Sequence, residues 1–224
     1  MKQYKIIAAA FALSAAFSSA ATTLYTVTTG TTVTSSGIAN SAGLQFQSNS
    51  VVAFTSAGPG VVSFGYFSIT DAQITAAPNV GTLTGSWNMW NASTSSFAQP
   101  GPSQFRGVFS SAATARDMSI DTGFATRNMY VFIGNGTTYA NSTEVLVLRT
   151  SFLFNASQTG PTAFVNTITT GNSSALLGTV VADVRTTSAD TSVTPGWRTG
   201  AIPEPSAALL GALGALGLLR RRRI

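Results

Sequence analysis

Between residues 22 and about 200, apolar and polar residues alternate in short runs or merge into brief apolar stretches rich in β-branched and aromatic side chains. The runs are LYTVTT (24–29), LQFQ (44–47), VVAFTS (51–56), VVSFGYFSIT (61–70), TLTGSW (82–87), QFRGVFS (104–110), MYVFIG (129–134), EVLVLRTSFLF (144–154), AFVNTIT (163–169) and LLGTVVADVRTT (176–187). Turn formers stand between them, among them Gly58-Pro59-Gly60, Pro100-Gly101-Pro102, Asn135-Gly136 and Gly160-Pro161. A two-residue period sends alternate side chains to opposite faces of a strand, and frequent turn signals bound each strand. The pattern predicts an all-β fold, a single β-sandwich or jelly-roll-like domain. In EVLVLRTSFLF, Val145, Val147 and Arg149 point to one face while Leu146 and Leu148 point to the other. A strand apolar on both faces is expected at the centre of a sheet covered on both sides.

The two ends break this pattern. MKQYKIIAAAFALSAAFSSAATT opens with Lys2 and Lys5, stays apolar from Ile6 to Phe17, and ends on small residues such as Ser18 and Ala20. That order predicts a secretory signal-peptide helix over residues 1–21, cut after Ala20 or Ala21. The apolar stretch is too short to span a bilayer core of about 30 Å, and small side chains fit the peptidase pocket.

At the other end, the fourteen residues from Ser206 to Leu219 are uncharged, and Arg220, Arg221, Arg222 and Arg223 follow. As a transmembrane helix they would cover roughly 21 Å at about 1.5 Å per residue. Arginine stems, with part of Ala201 and Ile202, are expected to make up the remaining apolar thickness. The arginine cluster orients the span with everything before it outside the cytoplasm. Gly211, Gly214 and Gly217 form a stripe of small residues that permits close helix approach. Pro203 and Pro205 restrict the backbone around Glu204 to extended conformations, the form in which proteases bind their substrates.

Pro203-Glu204-Pro205, the short span 206–219 and the arginine cluster 220–223, in a chain that begins with a signal peptide, resemble the PEP-CTERM sorting signal of bacterial envelope proteins. The match covers about a tenth of the chain. The resemblance implies two processing enzymes as partners, a signal peptidase and an exosortase, the latter an integral-membrane cysteine transpeptidase-like enzyme that cuts near the motif. It also implies a precursor tethered transiently to the inner membrane. The product would pass to the cell surface or the exopolysaccharide matrix of a Gram-negative bacterium. The chain is then divided into a signal peptide (1–21), an extracytoplasmic all-β body (22–200) and a sorting tail (201–224).

The formal charge of +5 belongs to the ends. Between residues 22 and 203, six arginines meet six acids, so the body is neutral and offers no basic face for nucleic acid. Lysine is absent from the body, and Ser and Thr make up roughly three residues in ten, well above ordinary usage. Threonine suits exposed strand faces and keeps a low-charge sheet hydrated.

The chain has no histidine and no cysteine, which excludes a Ser-His-Asp triad, thiolate chemistry and His or Cys metal sites. A glycosidase-like carboxylate pair needs two acids about 5–9.5 Å apart, but Asp71, Glu144, Asp183 and Asp190 occur singly, so no catalytic residue is assigned and a non-enzymatic role is expected. Asp117, Ser119 and Asp121 superficially match the start of a calcium loop, yet Thr122 and Asn128 stand where glycine and glutamate are needed; neither metal nor cofactor is expected. Trp87 and Trp90, in the polar context GSWNMWNAST, are candidate stacking residues for a sugar. Binding to exopolysaccharide through them is the alternative to a structural or adhesive role. Five N-x-S/T sequons, at Asn91, Asn135, Asn141, Asn155 and Asn172, are expected by chance in so Ser/Thr-rich a chain.

Overall fold

The computed structural model describes residues 22–29, 36–46, 60–90, 97, 107–109, 114–117, 122–155, 162–185 and 193–202. The predicted signal peptide, the sorting tail from Pro203 onward and the run VVAFTS lie outside them.

The elements are β1 (Thr22–Thr28), β2 (Ile38–Ala39), β3 (Val61–Phe67), α1 (Asp71–Thr75), α2 (Val80–Ser86), β4 (Trp87–Met89), β5 (Thr114–Asp117), β6 (Asn128–Gly134), β7 (Glu144–Leu153), β8 (Thr162–Thr167), β9 (Ser173–Leu177), β10 (Thr179–Arg185), β11 (Val193–Arg198) and β12 (Gly200–Ala201). The fold is all-β with two short helices. The largest sheet runs β12-β7-β6-β3-β4 with antiparallel pairs throughout, and β9 joins β12 along the outer edge of the long strand β7. In the two smaller sheets, β1 lies between antiparallel β5 and parallel β8, and β11 between antiparallel β10 and parallel β2.

Two apolar clusters use the two faces of the large sheet. On one face, Val62, Phe64, Val131, Ile133, Leu146 and Leu148 join Tyr25 and Val27 of β1, Ile38 of β2 and Trp197 of β11, so all three sheets contribute to one core. On the other, Phe67, Tyr130, Phe132, Val145 and Val147 meet Ile74 of α1, Leu83 of α2 and Ile202. Val145 to Val147 and Leu148 are completely buried, as the two-faced apolar run of β7 predicts. Each such side chain contributes about 1.5–3 kcal/mol of burial free energy.

Four local outcomes differ from the strand pattern. TLTGSW is helical up to Ser86, not a strand. Asn79 caps it by accepting hydrogen bonds from the Thr82 amide (2.8 Å) and the Thr82 hydroxyl (3.1 Å), and Leu83 is buried, which together override the β preference of two threonines. LQFQ makes only an isolated bridge, from Gln45 to Ala39. LLGTVVADVRTT is split at Gly178, whose φ of +81° turns the chain from β9 to β10 and where a Cβ would run into the Arg198 carbonyl oxygen. The unanticipated strand β11 carries a proline, and Pro195 falls where the pairing shifts between Val181 and Val184, a place in the ladder that needs no amide donor.

At the C-terminal edge, Gly200 and Ala201 pair with Val145 and Glu144, and the Ile202 amide donates to the Thr143 carbonyl at 3.4 Å. Ile202 is buried against the second cluster. The body therefore runs through Ile202, and Ala201 and Ile202 are held by β7 instead of lengthening the apolar span. Among the described residues no helix is long and apolar enough to cross a membrane.

Candidate functional site

The best-formed candidate site is built where β3, β6 and β7 meet the start of α1. Thr70 begins α1 through a capping box: its hydroxyl accepts from the Gln73 amide (3.3 Å) and its own amide donates to Gln73 Oε1 (2.9 Å). This fixes Asp71, the first helical residue, over the sheet. Tyr130 and Arg149 are cross-strand partners there, and both reach it. The Tyr130 hydroxyl donates to Asp71 Oδ1 at 2.6 Å, and Arg149 Nη1 donates to Asp71 Oδ2 at 2.7 Å. The Tyr130 hydroxyl is pushed up to about 12, first by burial and then by its hydrogen bond to Asp71 and the charge on that carboxylate. It therefore stays a donor throughout the neutral range.

Arg127, just before β6, lies with its guanidinium carbon 5.4 Å from the centre of the Tyr66 ring. The edge-on contact between Tyr66 and Phe124, centroids 4.9 Å apart, fixes that ring in turn. Asp71 faces Arg149, and Asp183 lies 3.7 Å from Arg198; among the described residues no carboxylate pairs with Arg127. A cleft of about 290 Å³ is lined by Thr70, Asp71, Arg127, Asn128 and Arg149 together with the aromatic or apolar side chains of Tyr66, Phe67, Ile69 and Tyr130. A second cleft, of about 410 Å³, continues over Ser151 of β7, Gly171 and Asn172 of the preceding turn, and Ser174 of β9. Asn128 and Arg149 belong to both, so the two clefts adjoin there and make a groove in which hydroxyl, amide and guanidinium groups stand beside the Tyr66, Phe67 and Tyr130 rings. Such a lining suits a hydroxyl-rich, hydrogen-bonding ligand better than an apolar one.

The tryptophans predicted as a sugar platform do not form one. Trp90 is completely buried, edge-on to Tyr25 at 5.0 Å and stacked on Phe154 at 5.1 Å. Trp87 packs on the opposite face of the sheet against Phe67 (4.6 Å) and Phe132 (5.7 Å), and its indole N–H donates to Ser63 at 3.1 Å. A separation of three residues across a strand end puts two side chains on opposite faces, so the pair could not share one surface. Trp197 is also buried, and Tyr139 stacks on Phe132 at 4.1 Å.

The described acids are dispersed. Glu144 accepts from the Ser41 amide (2.9 Å), the Ser41 hydroxyl (2.6 Å) and the Thr199 hydroxyl (2.5 Å). Burial alone would raise its carboxyl, but the three hydrogen bonds outweigh it and hold the group below its usual value. Glu144 stands five residues along β7 from Arg149, the partner of Asp71, a distance of about 17 Å at roughly 3.4 Å per residue. That exceeds the separation of about 5–9.5 Å at which two carboxylates share a glycosidic bond. Asp183 is mostly exposed beside Arg198. Ser119, Asp121 and Asp190 lie outside the described residues, and no group of three metal-ligating side chains occurs among the described ones. The Asn135, Asn141 and Asn172 amide nitrogens donate to Thr143, Thr137 and Thr167 respectively, so these sequon asparagines hold turns. Asn91 lies outside the described residues, as do Ala20, Ala21, Pro203, Glu204, Pro205 and Arg220 to Arg223.

Two parts of the groove had a sequence signal. Arg149 is the single charge within the run VLVLRTSFLF, and Thr70-Asp71-Ala72-Gln73 has the capping-box spacing. The meeting of Arg127 with Tyr66 had none, since it joins a residue just before β6 to one of β3 through tertiary packing. Compared with protein-family models, curated proteins and solved structures, the chain matches none.

Proposed function

We propose that this chain is an exported cell-envelope or extracellular-matrix protein, sorted by an exosortase, with a non-enzymatic structural or adhesive role. The observation that carries the reading is the order of parts in the tail, Pro203-Glu204-Pro205, then the apolar span, then four arginines, opposite a signal peptide at the other end. Two features of the body support it. β12 and Ile202 fasten the chain to β7 one residue before the motif begins, so the motif follows directly on a folded body. The body is β-rich, neutral and crowded with Ser and Thr, a surface suited to a hydrated polymer environment. We take the body as a single sandwich or jelly-roll-like domain, the two small sheets facing the large one across the first cluster, flanked in the precursor by the signal-peptide and transmembrane helices.

The test is the intact mass and fractionation of the protein in its own host, beside a variant with Pro203, Glu204 and Pro205 all replaced by Ala. The expected native form has lost both ends and left the membrane, while the variant keeps its arginine tail and stays. If both stay membrane-bound with the tail intact, the tail is a plain anchor and the reading fails.

A further inference from the structure

We infer that the groove across β6, β7 and β9 binds an acidic polysaccharide, with the Arg127 guanidinium pairing to a sugar carboxylate. This deepens the matrix reading above and rests on it for where the polymer would be met.

The argument begins with charge. Asp71 neutralises one of the two arginines in the groove, one oxygen held by Arg149 and the other by Tyr130. Arg127, on the wall of the cleft, has no carboxylate partner among the described residues, so the groove carries one net positive charge. The ring of Tyr66 holds it in place without removing its hydrogen-bonding capacity, because a cation over a ring face keeps its N–H groups at the edge free to donate. A planar, fork-shaped donor of this kind matches a carboxylate.

The second element is shape. The two clefts adjoin at Asn128 and Arg149, which places Arg127 at one end and the exposed Ser151 and Ser174 at the other. An elongated ligand with hydroxyls along its length and a carboxylate at intervals meets this order of groups, and acidic glycans have that build. A nucleic acid fits less well. It carries a charge at every phosphate and binds through several cations, whereas the groove has one cation without a carboxylate partner among the described residues, seated over the Tyr66 ring.

The full chain, purified in detergent, is titrated calorimetrically with tetragalacturonate at low salt, and in parallel with a neutral glucan tetramer and a short oligonucleotide. Tetragalacturonate is expected to bind, with Arg127→Ala weakening it at least tenfold and Ser174→Tyr, which fills the far half of the groove, doing the same. Arg127 and Ser174 are exposed, so both variants are expected to keep the parent's melting temperature within a few degrees. Asp183→Ala, on the mostly exposed β10, should bind like the parent. Absence of binding, equal binding by Arg127→Ala, equal affinity for the neutral glucan, or tighter binding of the oligonucleotide would each overturn the inference. None of these outcomes bears on the fractionation experiment, so the groove can fail while the sorting reading stands, and the reverse.

Discussion

Glu144 shows how a single acid can be structural in a chain with few charges. It ties the loop at Ser41 and the β11–β12 junction at Thr199 to the start of β7. Replacing it with Gln removes a charged acceptor from three donors and is expected to cost about 1–2 kcal/mol at pH 7, measured by urea unfolding. A carboxyl held below its usual value stabilises the fold above the unfolded-state value near 4.5 and loses that contribution as pH falls through its lower folded value. The gap between parent and Glu144→Gln should therefore close in acid. The tyrosines work the other way. Burial raises Tyr25, Tyr130 and Tyr139, so the folded state keeps their protons and its advantage is lost as pH rises past about 10. Unfolding midpoints should drop between pH 9 and roughly pH 12, less steeply in Tyr130→Phe. Neither role was legible in the sequence, because isolated Asp, Glu and Tyr residues look alike until tertiary partners are known.

Strands were more legible than helices or turns. β7 was readable from Val145 to Arg149, down to the face each of those side chains occupies, since four consecutive apolar residues leave few other placements. The helix α2 was misread because a threonine-rich hexapeptide carries β preference, while the decisive residue, Asn79, stands just before it. Asn79→Ala should cost about 1 kcal/mol, read as a lower melting temperature. The tryptophans were misjudged for a related reason: polar neighbours in sequence say little about burial when the strand is three residues long and the chain then turns into the core. Trp90→Ala, which empties a site between Tyr25, Phe64, Phe124 and Phe154, is expected to cost about 3–5 kcal/mol or prevent folding.

Across the whole molecule, sequence and structure divide the work. The ends carry the net charge and, on the proposed reading, the address, while the body carries the described fold. If both ends are removed, the product keeps six arginines and six acids, so isoelectric focusing should place it near neutral, well below the precursor's pI of about 10.1. A body with so little net charge has weak electrostatic repulsion between copies, which favours close packing in a matrix. The fastening of Ile202 has one more consequence. Between it and the apolar span lie only Pro203, Glu204 and Pro205, a leash of at most about 10 Å. A precursor moored this tightly would have its Thr143–Glu144 edge beside the lipid headgroups. Arg149 and Ser151 stand five and seven residues farther along β7 than Glu144, about 17–24 Å at roughly 3.4 Å per residue, so on the proposed reading the groove would lie away from the mooring before any cut is made.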